Sequence, residues 1–123
     1  MNFYRFQYLL LGLLVASCAS LPAQTDQDNF ADYEESIFRH QNQLNSRLMM
    51  LTDAELIPDD EQFDNAEETM HEACHLLNEY AEHESSGESM SWLFKSKVQA
   101  SIENCATSIT RMESLLTKAG LNQ

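Results

Sequence analysis

The spacing of apolar residues is what most limits the folds open to this chain. Phe94, Val98, Ile102, Cys105, Ile109, Met112, Leu116 and Ala119 follow one another at intervals of three and four. An α-helix turns once in about 3.6 residues, so such side chains line one face of a helix but scatter over both faces of a strand. The same spacing carries Phe63, Ala66, Met70, Ala73, Cys74, Leu77, Tyr80 and Ala81. It also carries Phe30, Tyr33, Ile37, Leu44, Leu48 and Leu51, with Gln41 as a polar interruption and Phe38, Met49 and Met50 widening the stripe. No stretch sustains the period-two alternation of a strand. The pattern predicts helices over 29–52 (with 56 as the outer limit), 60–84 and 89–119. Pro58 stops the first, and Asp59 and Asp60 offer an N-cap and negative charge to the second. Ser85-Ser86-Gly87 ends the second, and Gly120 is a C-cap for the third. Each helix alone would leave its stripe in water. The expected fold is therefore all-α, an up-down-up three-helix bundle.

Two cysteines test the register of the second hairpin. If its turn centres near residue 89, facing residues have numbers that sum to about 179. Cys74 then meets Cys105, Leu77 meets Ile102, Met70 meets Ile109 and Phe63 meets Leu116. Apolar residues face apolar residues along the whole seam, and the two thiols face each other. A Cys74–Cys105 disulfide is expected, worth roughly 3–4 kcal/mol in the chain-entropy model. The alternative is two free buried thiols filling core space.

With 123 residues, one small domain is the ceiling. Three glycines and two prolines are too few for a loop-rich or collagen-like chain, and 43% hydrophobic residues are too many for a disordered one. Seven Lys and Arg against twenty Asp and Glu give a net charge of −13. A phosphate backbone needs a basic footprint, so nucleic acid is excluded as a partner. The charge is also uneven. Asp53 to Glu88 holds thirteen acidic residues and no Lys or Arg, whereas four basic and two acidic residues follow Ser89. This reads either as a docking face for a basic partner or as a solvated face that keeps the protein soluble.

The N-terminus reads as an address. Arg5 supplies a positive start. Tyr8 to Ala16 is an apolar run of nine, too short to span a bilayer, which needs roughly 20. Val15-Ala16-Ser17-Cys18 then follows the order aliphatic, small, small, Cys. This segment resembles the lipobox of bacterial lipoproteins. The resemblance implies cleavage before Cys18 and acylation of Cys18 by palmitate-type chains, which anchor far more firmly than one chain alone. It further implies a signal peptide over 1–17. The short polar stretch with Pro22 that follows reads as a flexible tether over 18–28, and the periodic segment after it as a helical bundle domain over 29–120. Loss of 1–17 takes Arg5 with it, leaving 6 basic against 20 acidic residues, a net of −14. Ala19 after the Cys implies sorting to the outer membrane, facing the periplasm. The alternative is an ordinary secretory signal cut after Ala23, giving a soluble periplasmic or secreted protein.

His71-Glu72-Ala73-Cys74-His75 matches the His-Glu-x-x-His pattern, in which two histidines four apart bind zinc and the Glu activates water. Cys74 within it belongs to the core seam, so peptidase chemistry is not the expected reading. A weaker divalent-metal reading uses His71 and His75 with Glu68, Glu72 or Glu79, against two solvated histidines flanking the stripe. His40 and His83 stand isolated. Met49, Met50, Met70 and Met112 suit core filling better than a copper site, and no Cys-x-x-Cys-His exists for covalent haem. Trp92 and Leu93 fall out of phase with the stripe. They read as a partner or membrane contact, or as residues folded over the open end of the bundle.

A catalytic triad, a phosphate-binding Gly loop and paired buried carboxylates are missing from this reading, so no enzyme and no cofactor are expected. The leading expectation is a small exported lipoprotein that binds an envelope protein as an accessory component. Pilotins of type II secretion are similar in size and plan, though the likeness is architectural and no pilotin motif occurs. The alternatives are a metal-binding lipoprotein built on His71 and His75, and a structural spacer without a dedicated site. Three amphipathic helices would also suit pairing of two copies into a homodimer.

Overall fold

The computed structural model describes residues 25–122. The expected signal peptide, Cys18 and positions 18–24 of the expected tether lie outside the described residues. Three helices make up the rest: α1 over Thr25–Asp53, α2 over Glu61–Ser86 and α3 over Trp92–Lys118. Among the described residues there is no strand. The all-α expectation holds.

The helix limits differ from the expected ones for local reasons. α1 begins at Thr25, so positions 25–28, expected in the tether, are helical. No Pro or Gly lies between Pro22 and Thr25 or within the helix, so nothing in the sequence delays its start to position 29. α2 starts where Asp60 caps it, accepting bonds from the backbone N–H of Gln62 at 2.6 Å and of Phe63 at 3.4 Å. α3 starts three residues later than expected because Ser91 accepts the Phe94 N–H at 3.1 Å and sets the cap there.

All three helices end in the same way. A left-handed residue follows the last turn, and two N–H groups reach back to free carbonyls. Gly87 (φ 71) closes α2 with Glu88 N–H donating to His83 O at 3.1 Å. Gly120 (φ 74) closes α3 with Leu121 N–H donating to Leu116 O at 2.9 Å. Glu55 (φ 57) takes this role after α1, with Leu56 N–H donating to Leu51 O at 2.9 Å.

The core lies mainly between α2 and α3, the most extensive of the helix interfaces. Phe63, Ala66, Met70, Cys74 and Leu77 meet Val98, Ile102, Cys105, Ile109, Met112 and Leu116, all buried. Cys74 and Cys105 are at disulfide distance, with Cα atoms 4.7 Å apart. The expected register is therefore present at the one pair that reports it directly. Ala119, assigned to the stripe from sequence, is exposed.

α1 contributes less. Only Leu44 and Leu48 of its apolar residues are fully buried, while Phe30, Tyr33, Ile37, Phe38 and Leu51 pack at the margin. Its polar contacts run along α3 and beyond. The Tyr33 hydroxyl donates to Glu103 at 3.0 Å, His40 meets Glu113 at 2.6 Å, and Arg47 donates to the Leu121 carbonyl. Among the described residues no helix is long and apolar enough to cross a membrane.

Candidate functional site

Two of the three residues that α1 repeats at sevenfold spacing, Glu34 and Gln41, are polar, and both are buried; Leu48 completes the series. Glu34 and Gln41 each line one of the two clefts that α1 makes with α2.

The first cleft, of about 680 Å³, opens between the C-terminal half of α1 and the N-terminal half of α2. Gln41, Asn45, Met49 and Asp53 line one side, and Asp64, Glu67, Glu68 and His71 line the other. Gln41 is 1% exposed and its Oε1 accepts no hydrogen bond. A buried amide oxygen left unpartnered costs about 1–3 kcal/mol. The wall opposite carries carboxylates that no Lys or Arg neutralises: among the described residues the one Lys or Arg ion pair joins Arg39 to Glu35. The composition of α2 explains this, since it holds no Lys or Arg at all.

The second cleft, of about 440 Å³, lies at the other end of the α1–α2 contact. Glu34, Phe38, Leu77, Tyr80, Ala81 and Glu84 are among its walls. Glu34 is 5% exposed. Loss of water pushes its carboxyl up to about 7, the nearby Glu84 pushes in the same direction, and Lys95 and the Tyr80 hydroxyl act against them. The Tyr80 phenol is also held above its ordinary range, by burial first and then by the Glu34 and Glu84 carboxylates. Glu34 thus exchanges its proton near neutrality.

Trp92 and Leu93 occupy the first turn of α3 and are 81% and 57% exposed. The Ser91 cap fixes their phase: with the helix starting there, Phe94 turns inward and its two predecessors turn out. Phe94 instead meets the ring of His83 edge to face, with centroids 5.6 Å apart. His83 Nδ1 lies 2.6 Å from Glu88 and its Nε2 3.7 Å from Glu79. His83 therefore ties the end of α2 to the start of α3, and His40 ties α1 to α3; neither is isolated.

His71 and His75 are both exposed on α2, and Cys74 between them is wholly buried in the seam. His75 lies 3.9 Å from Glu79. Among the described residues no group of three His, Cys, Asp or Glu could hold a metal ion, so neither the zinc-protease pattern nor the weaker metal reading acquires a third ligand. Met70 and Met112 are core residues, whereas Met49 and Met50 are 67% and 65% exposed, and the four do not converge.

Sequence reasoning missed Glu34 because Tyr33 was assigned to the stripe in its place. The signal was present: Glu34 lies seven residues before Gln41 and fourteen before Leu48. It missed the Gln41 cleft because a polar residue on a stripe reads as an interruption, not as the floor of a site. No protein-family model, no curated protein and no solved structure matches this chain.

Proposed function

We propose that this protein is a lipid-anchored, non-enzymatic binding module of the bacterial cell envelope, held at the outer membrane through Cys18 and engaging another envelope protein through its helical domain. The observation that carries the binding role is the exposed Trp92–Leu93 step. Large apolar side chains this far out of the core are favourable when a partner covers them.

The arrangement that supports this reading is an up-down-up bundle. The contacts Tyr33–Glu103, His40–Glu113 and Arg47–Leu121 rise together along α1 and α3, and α2 returns between them through Cys74–Cys105. In that topology Trp92 lies at the end of the bundle where α1 starts, the end at which Lys95, three residues on, acts on Glu34. A chain anchored at Cys18 would hold that end toward the membrane.

A photoreactive phenylalanine placed at Trp92 in living cells tests the binding role, with the same residue at the exposed Lys97 as a control. One discrete protein adduct at position 92, absent at 97, is the expected result. Adducts to lipid alone, or none, would instead make Trp92 a membrane contact or leave the domain a spacer. Labelling with a radioactive fatty acid tests the anchor: label is expected on the wild type and lost from Cys18→Ser. Label that persists on the Ser variant contradicts it.

A further inference from the structure

The cleft between α1 and α2 joins two observations that the Trp92 surface does not use. One is a lining of carboxylates without Lys or Arg partners, Asp64, Glu67 and Glu68 on the α2 wall and Asp53 on α1. The other is the Gln41 carboxamide oxygen, buried and without a hydrogen-bond donor, at the same cleft. A carbonyl oxygen needs a donor, and the carboxylates around it favour a donor that is positively charged. We infer that this cleft docks an extended basic segment of the partner protein, with one Lys or Arg side chain reaching Gln41 and the flanking acids holding its charge.

Three features favour this occupant. A small divalent cation lacks a ready cage, since no group of three ligands converges among the described residues. A second copy of this chain would bring its own net charge of −13 against an acidic wall. A Lys or Arg side chain, by contrast, carries its charge on a long apolar stem, and Leu48, Met49 and Met70 give that stem an apolar floor. The terminal torsion of a Gln side chain is broad, so the Gln41 oxygen can turn toward an arriving donor at little cost. The long-range field of α2 would also speed encounter and make it salt-dependent.

The inference rests on the protein-binding reading and deepens it. Its test uses the full chain in detergent micelles and hexa-arginine amide as probe, followed by titration calorimetry and by amide chemical shifts. Wild type should bind saturably, with shifts centred on α1 and α2 around Gln41 and Glu67. Glu67→Gln/Glu68→Gln should weaken binding about tenfold or more. Glu61→Gln/Glu72→Gln, which removes the same charge outside the cleft, should weaken it about twofold or less. Gln41→Met keeps the side-chain size and removes the oxygen. It should weaken binding about tenfold while leaving the protein at least as stable to urea.

Equal losses from the two double variants would reduce the effect to net charge and overturn the inference. So would a Gln41→Met protein that gains stability and binds like wild type, since Gln41 would then be an unpaired core residue only. A salt-sensitive dimer of the peptide-free protein, abolished by Glu67→Gln/Glu68→Gln, would give the cleft to a second copy and overturn it as well. A discrete adduct at position 92 combined with no probe binding would remove the cleft from the interface and leave the binding module standing.

Discussion

The buried Glu34 carboxyl makes the stability of this fold depend on pH between acid and neutrality. In the unfolded chain Glu34 titrates near the ordinary 4.5, and in the folded protein it titrates at about 7. Below 4.5 it is neutral in both states and carries no penalty. Between the two values the unfolded chain ionises and the folded protein does not, so stability falls as pH rises. Above 7 the loss levels off, at no more than about 3 kcal/mol. Glu34→Gln should therefore be more stable than wild type by about 1–3 kcal/mol at pH 8, with the gap closing near pH 4.5. Urea titrations at the two pH values check this, and a gap independent of pH contradicts it. A second residue-scale prediction concerns the helix ends. Glu55 and Gly87 hold the same left-handed backbone, but only one is a glycine. A Cβ at Gly87 meets nothing within 4 Å, so Gly87→Ala tests backbone strain alone. It should lower stability by about 1 kcal/mol, and Glu55→Gly should raise it by about 0.5–1 kcal/mol.

The three helices are not equal partners. α2 and α3 share the fully buried seam and the Cys74–Cys105 pair, whereas α1 seals its place with two buried leucines, a marginal apolar row and polar contacts. Amide hydrogen exchange should open α1 at lower free energy than the centres of α2 and α3. Uniform protection across all three would show that α1 is as firmly held as the hairpin. Replacing both cysteines by alanine should lower stability by about 3–4 kcal/mol, while the circular dichroism of a helical protein persists at low temperature. These differences explain how much was legible beforehand. The α2–α3 seam follows from apolar spacing because both stripes are apolar at every inward position but Ser108, and residue numbers that sum to about 179 across the turn pair the two cysteines. α1 was only half legible, because Glu34 and Gln41 take inward positions that a hydrophobic pattern gives to carbon. The start of α3 was misplaced for a related reason. A cap is decided by one hydroxyl at Ser91, and the apolar phase of Met90, Trp92 and Leu93 says nothing about it.

At the scale of the whole molecule, charge and covalent chemistry work together. α2 holds no Lys or Arg, whereas α3 carries Lys95, Lys97, Arg111 and Lys118, so the charge field of the helical domain is uneven. A lipid at one end would fix the orientation of that field relative to the membrane. In the proposed up-down-up arrangement Trp92, the Glu34 cleft and the start of α1 would then face one way, and the Gln41 cleft would lie further along the bundle, open to an approaching basic segment. This distribution was visible in the sequence as a run of thirteen acids from Asp53 to Glu88. Where those acids gather around an unpartnered oxygen was not, because that depends on how α1 lies against α2. Everything in this orientation depends on the proposed acyl anchor at Cys18. Intact-mass spectrometry of the protein extracted from native membranes measures that anchor directly. The account expects a chain that starts at Cys18, carries acyl chains on that residue, and has lost two hydrogens to a Cys74–Cys105 bond. An unacylated chain, or one that starts at another residue, would contradict it.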